Sequence, residues 1–373
     1  RGRRIRLFAA QGAKTMKIII AQWVNRYLAH EEAIVVLTIA ALAVLALAFL
    51  GDVIAPIITA VVLAFLLQGV MNRLERLGLN HGVSVAVSFS LLLGTIGLGF
   101  FVLLPSLWDQ SQNLIQELPS MFSRAHTTLD HLSRRFPQFI TQEQFGRLSG
   151  AFADDMAHLG QTLVSYSLAQ FGILLGLFVY LILVPTMAFF LLKDKSLILQ
   201  WLSGFLPDER PVLARIWREV NEQIANYVRG KCVQIIVVSA VCSLSFGLLG
   251  LSYSLLLGVC MGLSVIIPYL GAVIVSLPVF LVGYVQWGWS DSWLYLLATV
   301  ALVHALDGNV LVPLLFSNAV KMHPLAIIIA ILFFGSLLGI WGVFFAIPLA
   351  TLINAILHAW PVVANDSPSE PSV

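Results

Sequence analysis

Residues 298–316 read ATVALVHALDGNVLVPLLF. The run is close to the roughly 20 apolar residues that an α-helix needs to cross the hydrocarbon of a bilayer. It is not uniformly apolar. Asp307 lies near its middle, His304 precedes it by about one turn on the same helical face, and Asn309 follows. A carboxylate at the centre of a membrane helix costs about 2.5–3.5 kcal/mol on insertion scales, so it faces protein, a cavity or an ion. Gly308 and Pro313 weaken the helix here and free backbone carbonyls. His304, Asp307 and Asn309 are therefore the candidate substrate- or ion-binding residues. A structural Asp–His hydrogen bond between helices is the plainer alternative.

The rest of the chain supports a membrane setting. Of 373 residues, 59% are hydrophobic and 11% charged, where soluble proteins carry about 25% charged residues. Mean hydropathy is +0.92. So little charge cannot cover a soluble surface, which excludes a cytosolic enzyme and a disordered chain. The net charge of +2 gives no reason to expect nucleic acid or another polyanion as partner. Apolar runs occur at 34–51, 53–70, 83–105, 168–192, 232–251, 254–268, 271–288, 293–316, 324–339 and 340–358. They are continuous rather than alternating, so they predict helices and not barrel strands. The fold class is all-α, a polytopic integral membrane protein of about eight spans, with the bilayer as its first partner.

Basic residues set the expected orientation. Seven lie in 1–33, two (Arg73 and Arg76) in the loop 71–82, and seven in 193–231, among them Arg229 and Lys231. The positive-inside rule puts these segments in the cytoplasm and 106–167, with four bases against six acids, outside. Asp52 reads as a tight turn between the first two spans, and no Lys or Arg is expected at membrane depth. Residues 17–30 suit an interfacial helix, with Trp23 and Tyr27 beside Lys17 and Arg26. Residues 1–15, before Met16, are set aside from the fold. The insert 106–167 predicts amphipathic helices broken at Pro119 and Pro137, with Leu114, Leu118, Met121 and Phe122 on one face. That stripe must pack on the membrane domain or on another subunit. His126, His131 and His158 read as solvated, 193–231 as a cytoplasmic connector, and 361–373 as a disordered tail.

No enzyme motif survives inspection. H-E-x-x-H and Walker A patterns are absent, and a single membrane aspartate cannot form an aspartyl protease dyad. Gly262-Leu263-Ser264-Val265 lacks the final glycine of a rhomboid-like turn. Cys232, Cys242 and Cys260 form no C-x-x-C pair and read as small buried hydrophobes. No cofactor and no metal is expected.

The C-terminal half looks paired. Segments 254–288 and 324–358 each hold a short first arm, a turn and a second arm. The turns are Pro268-Tyr269-Leu270-Gly271 and Leu338-Gly339-Ile340-Trp341-Gly342, and Pro278 and Pro348 follow them at similar distances. Pro324 opens the second hairpin. One span precedes each pair, so 232–288 and 293–358 suggest an inverted repeat of the secondary-transporter kind. Re-entrant and fully spanning hairpins both satisfy the span parity.

These same residues carry a resemblance. Asp307-Gly-Asn-Val-Leu-Val-Pro313, His323-Pro324-Leu325, Gly339-Ile340-Trp341-Gly342 and Ile347-Pro348-Leu349 resemble the C-terminal signature of the autoinducer-2 exporter (AI-2E) family, the PerM-type permeases. Ile267-Pro268-Tyr269-Leu270-Gly271 is similar to its P-x-x-G turn, and Tyr227-Val228-Arg229-Gly230-Lys231 to the lead into its fifth span. The likeness covers about 34–360. It implies a multi-pass permease of the bacterial inner membrane, with cytoplasmic termini and a homo-oligomeric, pentameric assembly. The implied substrate is a small molecule such as autoinducer-2, or sodium exchanged for protons. An oligomeric channel and a membrane scaffold are the competing classes.

Overall fold

The computed structural model describes residues 31–135, 170–206, 211–268, 270–316 and 323–359. The expected interfacial helix at 17–30, the break at Pro137 and the tail 361–373 lie outside them. Among the described residues every element is helical, and seven helices are long and apolar enough to cross a membrane. The elements are α1 (Glu31–Arg76), α2 (His81–Leu98), α3 (Leu104–Arg135), α4 (Gln170–Lys193), α5 (Lys195–Ser203), α6 (Pro211–Leu248), α7 (Ser254–Ser264), α8 (Leu270–Trp287), α9 (Asp291–Leu306), α10 (Val312–Phe316), α11 (Pro324–Phe344) and α12 (Ala346–Ala359).

The chain divides into two compact units. One comprises 1–55, 196–225 and 321–373, the other 56–195 and 226–320. In the second unit a buried cluster joins α6, α7, α8 and α9 through Phe246, Cys242, Met261, Val279, Leu296 and Val300. A second cluster joins α1, α2 and α4 through Leu67, Met71, Val85, Leu92 and Leu192. Hydrophobicity drives little helix association in lipid, so close packing must supply it. Here Gly258 and Gly262 of α7 press on Ser243 and Ser239 of α6, two small-residue pairs four apart on each helix. A β-carbon at Gly262 would run into the Ser239 hydroxyl.

Two expected breaks are helix interiors. Asp52 lies inside the 46-residue α1. Gly51 and Asp52 each cost an apolar helix about 1 kcal/mol or less, which does not end it. Pro119 lies inside α3, which runs on to Arg135. Its lost hydrogen bond costs about 3 kcal/mol. Packing opposes that cost, because Leu114 and Met121 join the α6–α9 cluster. The amphipathic stripe of the insert is thus used at least partly within the chain. Gln110 of the same helix accepts the Leu256 N–H at 2.9 Å. That caps α7, whose N-cap Tyr253 has a φ of 60° and no side-chain cap of its own.

Two π-helical turns interrupt long helices at equivalent places. Gly99–Leu103 joins α2 to α3, and Asp307–Leu311 joins α9 to α10. Each ends two residues before a proline, Pro105 and Pro313. A proline cannot donate to the carbonyl four residues back, and a widened turn takes up the mismatch. In the second turn the Val312 N–H reaches the Asp307 carbonyl. The loosening expected around Gly308 and Pro313 takes this form.

Candidate functional site

Asp307 opens the second π-turn and points at α6. Its Oδ1 and Oδ2 accept hydrogen bonds from Gln234 Nε2 at 2.8 and 3.1 Å. Gln234 Oε1 accepts in turn from Lys231 Nζ at 3.0 Å. The amide thus stands between an ammonium and a carboxylate. Lys231 is only 4% exposed and Gln234 2%. Two rings complete the setting of the ammonium, with Tyr227 6.0 Å and Phe316 5.6 Å from Nζ to their centroids. Such cation–π contacts strengthen when desolvated.

Tyr227, Lys231, Gln234, Val238 and Cys242 are all buried and recur at helical spacing, so Lys231 and Gln234 occupy core positions of α6. The segment expected as a connector, 193–231, ends inside α6. Lys231 lies inside the span candidate Val220–Leu248, where the expected connector passes into the apolar run. The reason is that α6 continues unbroken from Pro211 to Leu248, across the point where the apolar run begins.

His304 shares a helix with Asp307 but has a different partner. Its Nε2 is 3.2 Å from Ser276 Oγ on α8. The Ser276 hydroxyl donates to the Ala272 carbonyl at 2.6 Å. Its one proton is therefore used, so Ser276 accepts and His304 carries hydrogen on Nε2. Asn309 is exposed and donates to the Ala305 carbonyl of its own helix at 2.8 Å. The three residues singled out in the sequence thus face three different partners.

The turn residues frame this site from α8. The arm α7 has 11 residues, about 16 Å of helix, against roughly 30 Å of hydrocarbon. The ends of the hairpin are tied together by Gln286. It accepts the Ser252 N–H at 2.9 Å and donates to the Gly250 carbonyl at 2.8 Å. The start of α7 and the end of α8 therefore lie side by side, a closed helical hairpin whose contacts re-entrant and spanning arrangements share. Pro268 accepts the Leu270 N–H at 2.7 Å, and Gly271 donates to Ile267 at 3.0 Å. A β-carbon on Gly271 would collide with the Ser264 carbonyl. Pro278 lies within α8.

In the other unit the second hairpin repeats this device. Pro324 starts α11 behind the His323 cap, and Gly339 interrupts it with φ 58° and ψ −139°, values open to glycine. A β-carbon on Gly342 would collide with the Phe334 carbonyl of the first arm. Pro348 stands in the first turn of α12, where its missing N–H costs little.

Among the described residues no group of three His, Cys, Asp or Glu side chains could hold a metal ion. The AI-2E family transporter model matches residues 36–362. "Putative permease PerM" of Escherichia coli (strain K12) is 41% identical over 343 residues, covering 92% of this chain and 97% of its own. "Putative transport protein YueF" of Bacillus subtilis (strain 168) is 26% identical over 312 residues, covering 82% and 84%. "Putative transport protein YrrI" of the same organism is 26% identical over 318 residues, covering 81% and 85%.

Proposed function

Since this chain belongs to the AI-2E transporter family, we propose that it is a secondary permease that moves a small solute across the bacterial inner membrane, coupled to an ion gradient. One observation carries the reading. Asp307 is a carboxylate inside a helix long and apolar enough to span a bilayer, set on a π-turn. Intramembrane carboxylates of this kind mark ion and proton pathways. The adjoining helix α9 meets the α8 arm of the hairpin through His304 and Ser276, so the site and the hairpin are in direct contact.

The reading is not enzymatic. The Ser276 hydroxyl beside His304 Nε2 is engaged with the Ala272 carbonyl, and the chemistry proposed for the site is ion exchange and hydrogen bonding. Autoinducer-2 is the first solute to test, and sodium–proton antiport the second activity. The protein is taken to work as a homo-oligomer, pentameric by the family resemblance. With the connection at 71–82 in the cytoplasm, α2 leads outward, the insert follows outside, and α4 returns. Counting the first hairpin as re-entrant from outside, α9 leads back to a cytoplasmic 317–322. Proteoliposomes holding the full chain test this directly. Saturable counterflow of autoinducer-2, or sodium uptake driven by a proton gradient, supports a permease. Ohmic current without saturation would identify a channel, and no solute flux a scaffold.

A further inference from the structure

We propose that Lys231 is the fixed counter-cation of Asp307, acting through Gln234, and that it is a positioning residue which keeps Asp307 ionised inside the membrane. The functional weight of this pairing rests on Asp307 being the coupling carboxylate; the pairing itself does not.

The hydrogen-bond inventory carries the argument. An amide has one donor end and one acceptor end. Gln234 turns its oxygen to Lys231 at 3.0 Å and its nitrogen to both oxygens of Asp307 at 2.8 and 3.1 Å. Reversing the amide would set oxygen against carboxylate and NH2 against ammonium. The two charges therefore fix its orientation, and the amide relays one to the other. Lys231 has little water to stabilise it, at 4% exposure. The Tyr227 and Phe316 rings, whose centroids are 5.7 Å apart, welcome a cation without taking its proton.

Lys231 and Asp307 lie in two different span candidates, Val220–Leu248 and Asp291–Phe316. Charges in such segments are retained when they compensate one another. Removing one member leaves the other uncompensated, while removing both leaves a site that apolar packing can tolerate. Lys231 touches Asp307 only through Gln234, so its role is to hold the carboxylate's charge state rather than to contact a solute. Tyr227 and Phe316 shield the pair from one side, and Gly230 lets Phe316 approach α6, its β-position lying 2.8 Å from the Phe316 ring.

The test uses the full chain reconstituted in lipid and infrared difference spectra at neutral pH. In the parent protein Asp307→Asn should remove ionised-carboxylate bands. Lys231→Met should show a protonated-carboxyl band that disappears again in Lys231→Met/Asp307→Asn. Lys231→Arg should keep the parent spectrum. Thermal unfolding gives a second readout: the double variant should recover at least half of the melting-temperature loss of Lys231→Met. This recovery can be read even if Lys231→Met is poorly expressed, because the double variant is then the better-expressed protein. Parent-like carboxylate bands in Lys231→Met, or stability losses that simply add in the double variant, would overturn the pairing. Fully coupled transport by Asp307→Asn alongside the expected spectra would remove the coupling role and leave the pairing in place.

Discussion

Gln234 Nε2 bridges both carboxylate oxygens of Asp307, at 2.8 and 3.1 Å, so the amide and not a histidine is the direct partner of the acid. Replacing Gln234 by Leu keeps the volume and removes both polar ends. It leaves a buried ammonium and a carboxylate without their hydrogen bonds, at a cost of about 1–3 kcal/mol each. The Gln234→Leu protein should insert, be less stable by that order, and lose coupled flux as the Asp307 carboxylate loses its hydrogen bonds. Counterflow in proteoliposomes measures this. Unchanged flux would make Gln234 a packing residue.

The two hairpins make a paired prediction. Gly271 and Gly342 each meet a carbonyl of their own first arm, Ser264 and Phe334. A single added methyl at either should force the arms apart, an overpacking cost of about 1–3 kcal/mol. Gly271→Ala and Gly342→Ala should reduce transport more than expression, whereas Gly308→Ala, with open space around it, should be tolerated. Equal flux from all three variants would show that close approach of the arms does not matter.

His304 should act through Ser276. The serine hydroxyl is committed to Ala272, so it accepts from His304 Nε2–H and fixes that tautomer. Ser276→Ala removes the acceptor, and His304 is then free to turn or change tautomer. The expected outcome is a shifted pH profile of flux in Ser276→Ala that matches His304→Gln, with no further change in the double variant. Additive shifts would show that the two residues act separately.

Orientation is open to labelling. Leu77 and Gln116 are both exposed. In a cysteine-free background, an impermeant thiol reagent added to intact cells should label Gln116→Cys and spare Leu77→Cys until the membrane is opened. The reverse pattern would invert the proposed topology.

Asp307 was legible in the sequence because a lone carboxylate in an apolar run has no inexpensive explanation. The turn glycines were legible because short apolar arms separated by P-x-x-G or G-x-x-G have few geometries. Lys231 was not, because it closes a run of seven basic residues that reads as solvated connector, and Gln234 carries no charge to draw the eye. The available signal was the spacing of Tyr227, Lys231, Gln234, Val238 and Cys242, one stripe on a helix whose other members are apolar or aromatic. Asp52 and Pro119 misled for the opposite reason. Each is a breaker by propensity, yet a single breaker costs less than a long helix gains in lipid or in packing. Asn309 shares the polar run but spends its amide on the Ala305 carbonyl, an outcome that spacing alone does not reveal.

The central claim is that Asp307 couples an ion gradient to transport, and the Asp307→Asn variant tests it most directly. Asn keeps the size and the hydrogen-bonding capacity and cannot ionise. In proteoliposomes holding the full chain, with autoinducer-2 and sodium as probes and an imposed proton gradient, the variant should insert normally and lose gradient-driven accumulation at every pH. Accumulation equal to that of the parent protein across the pH range would contradict the account.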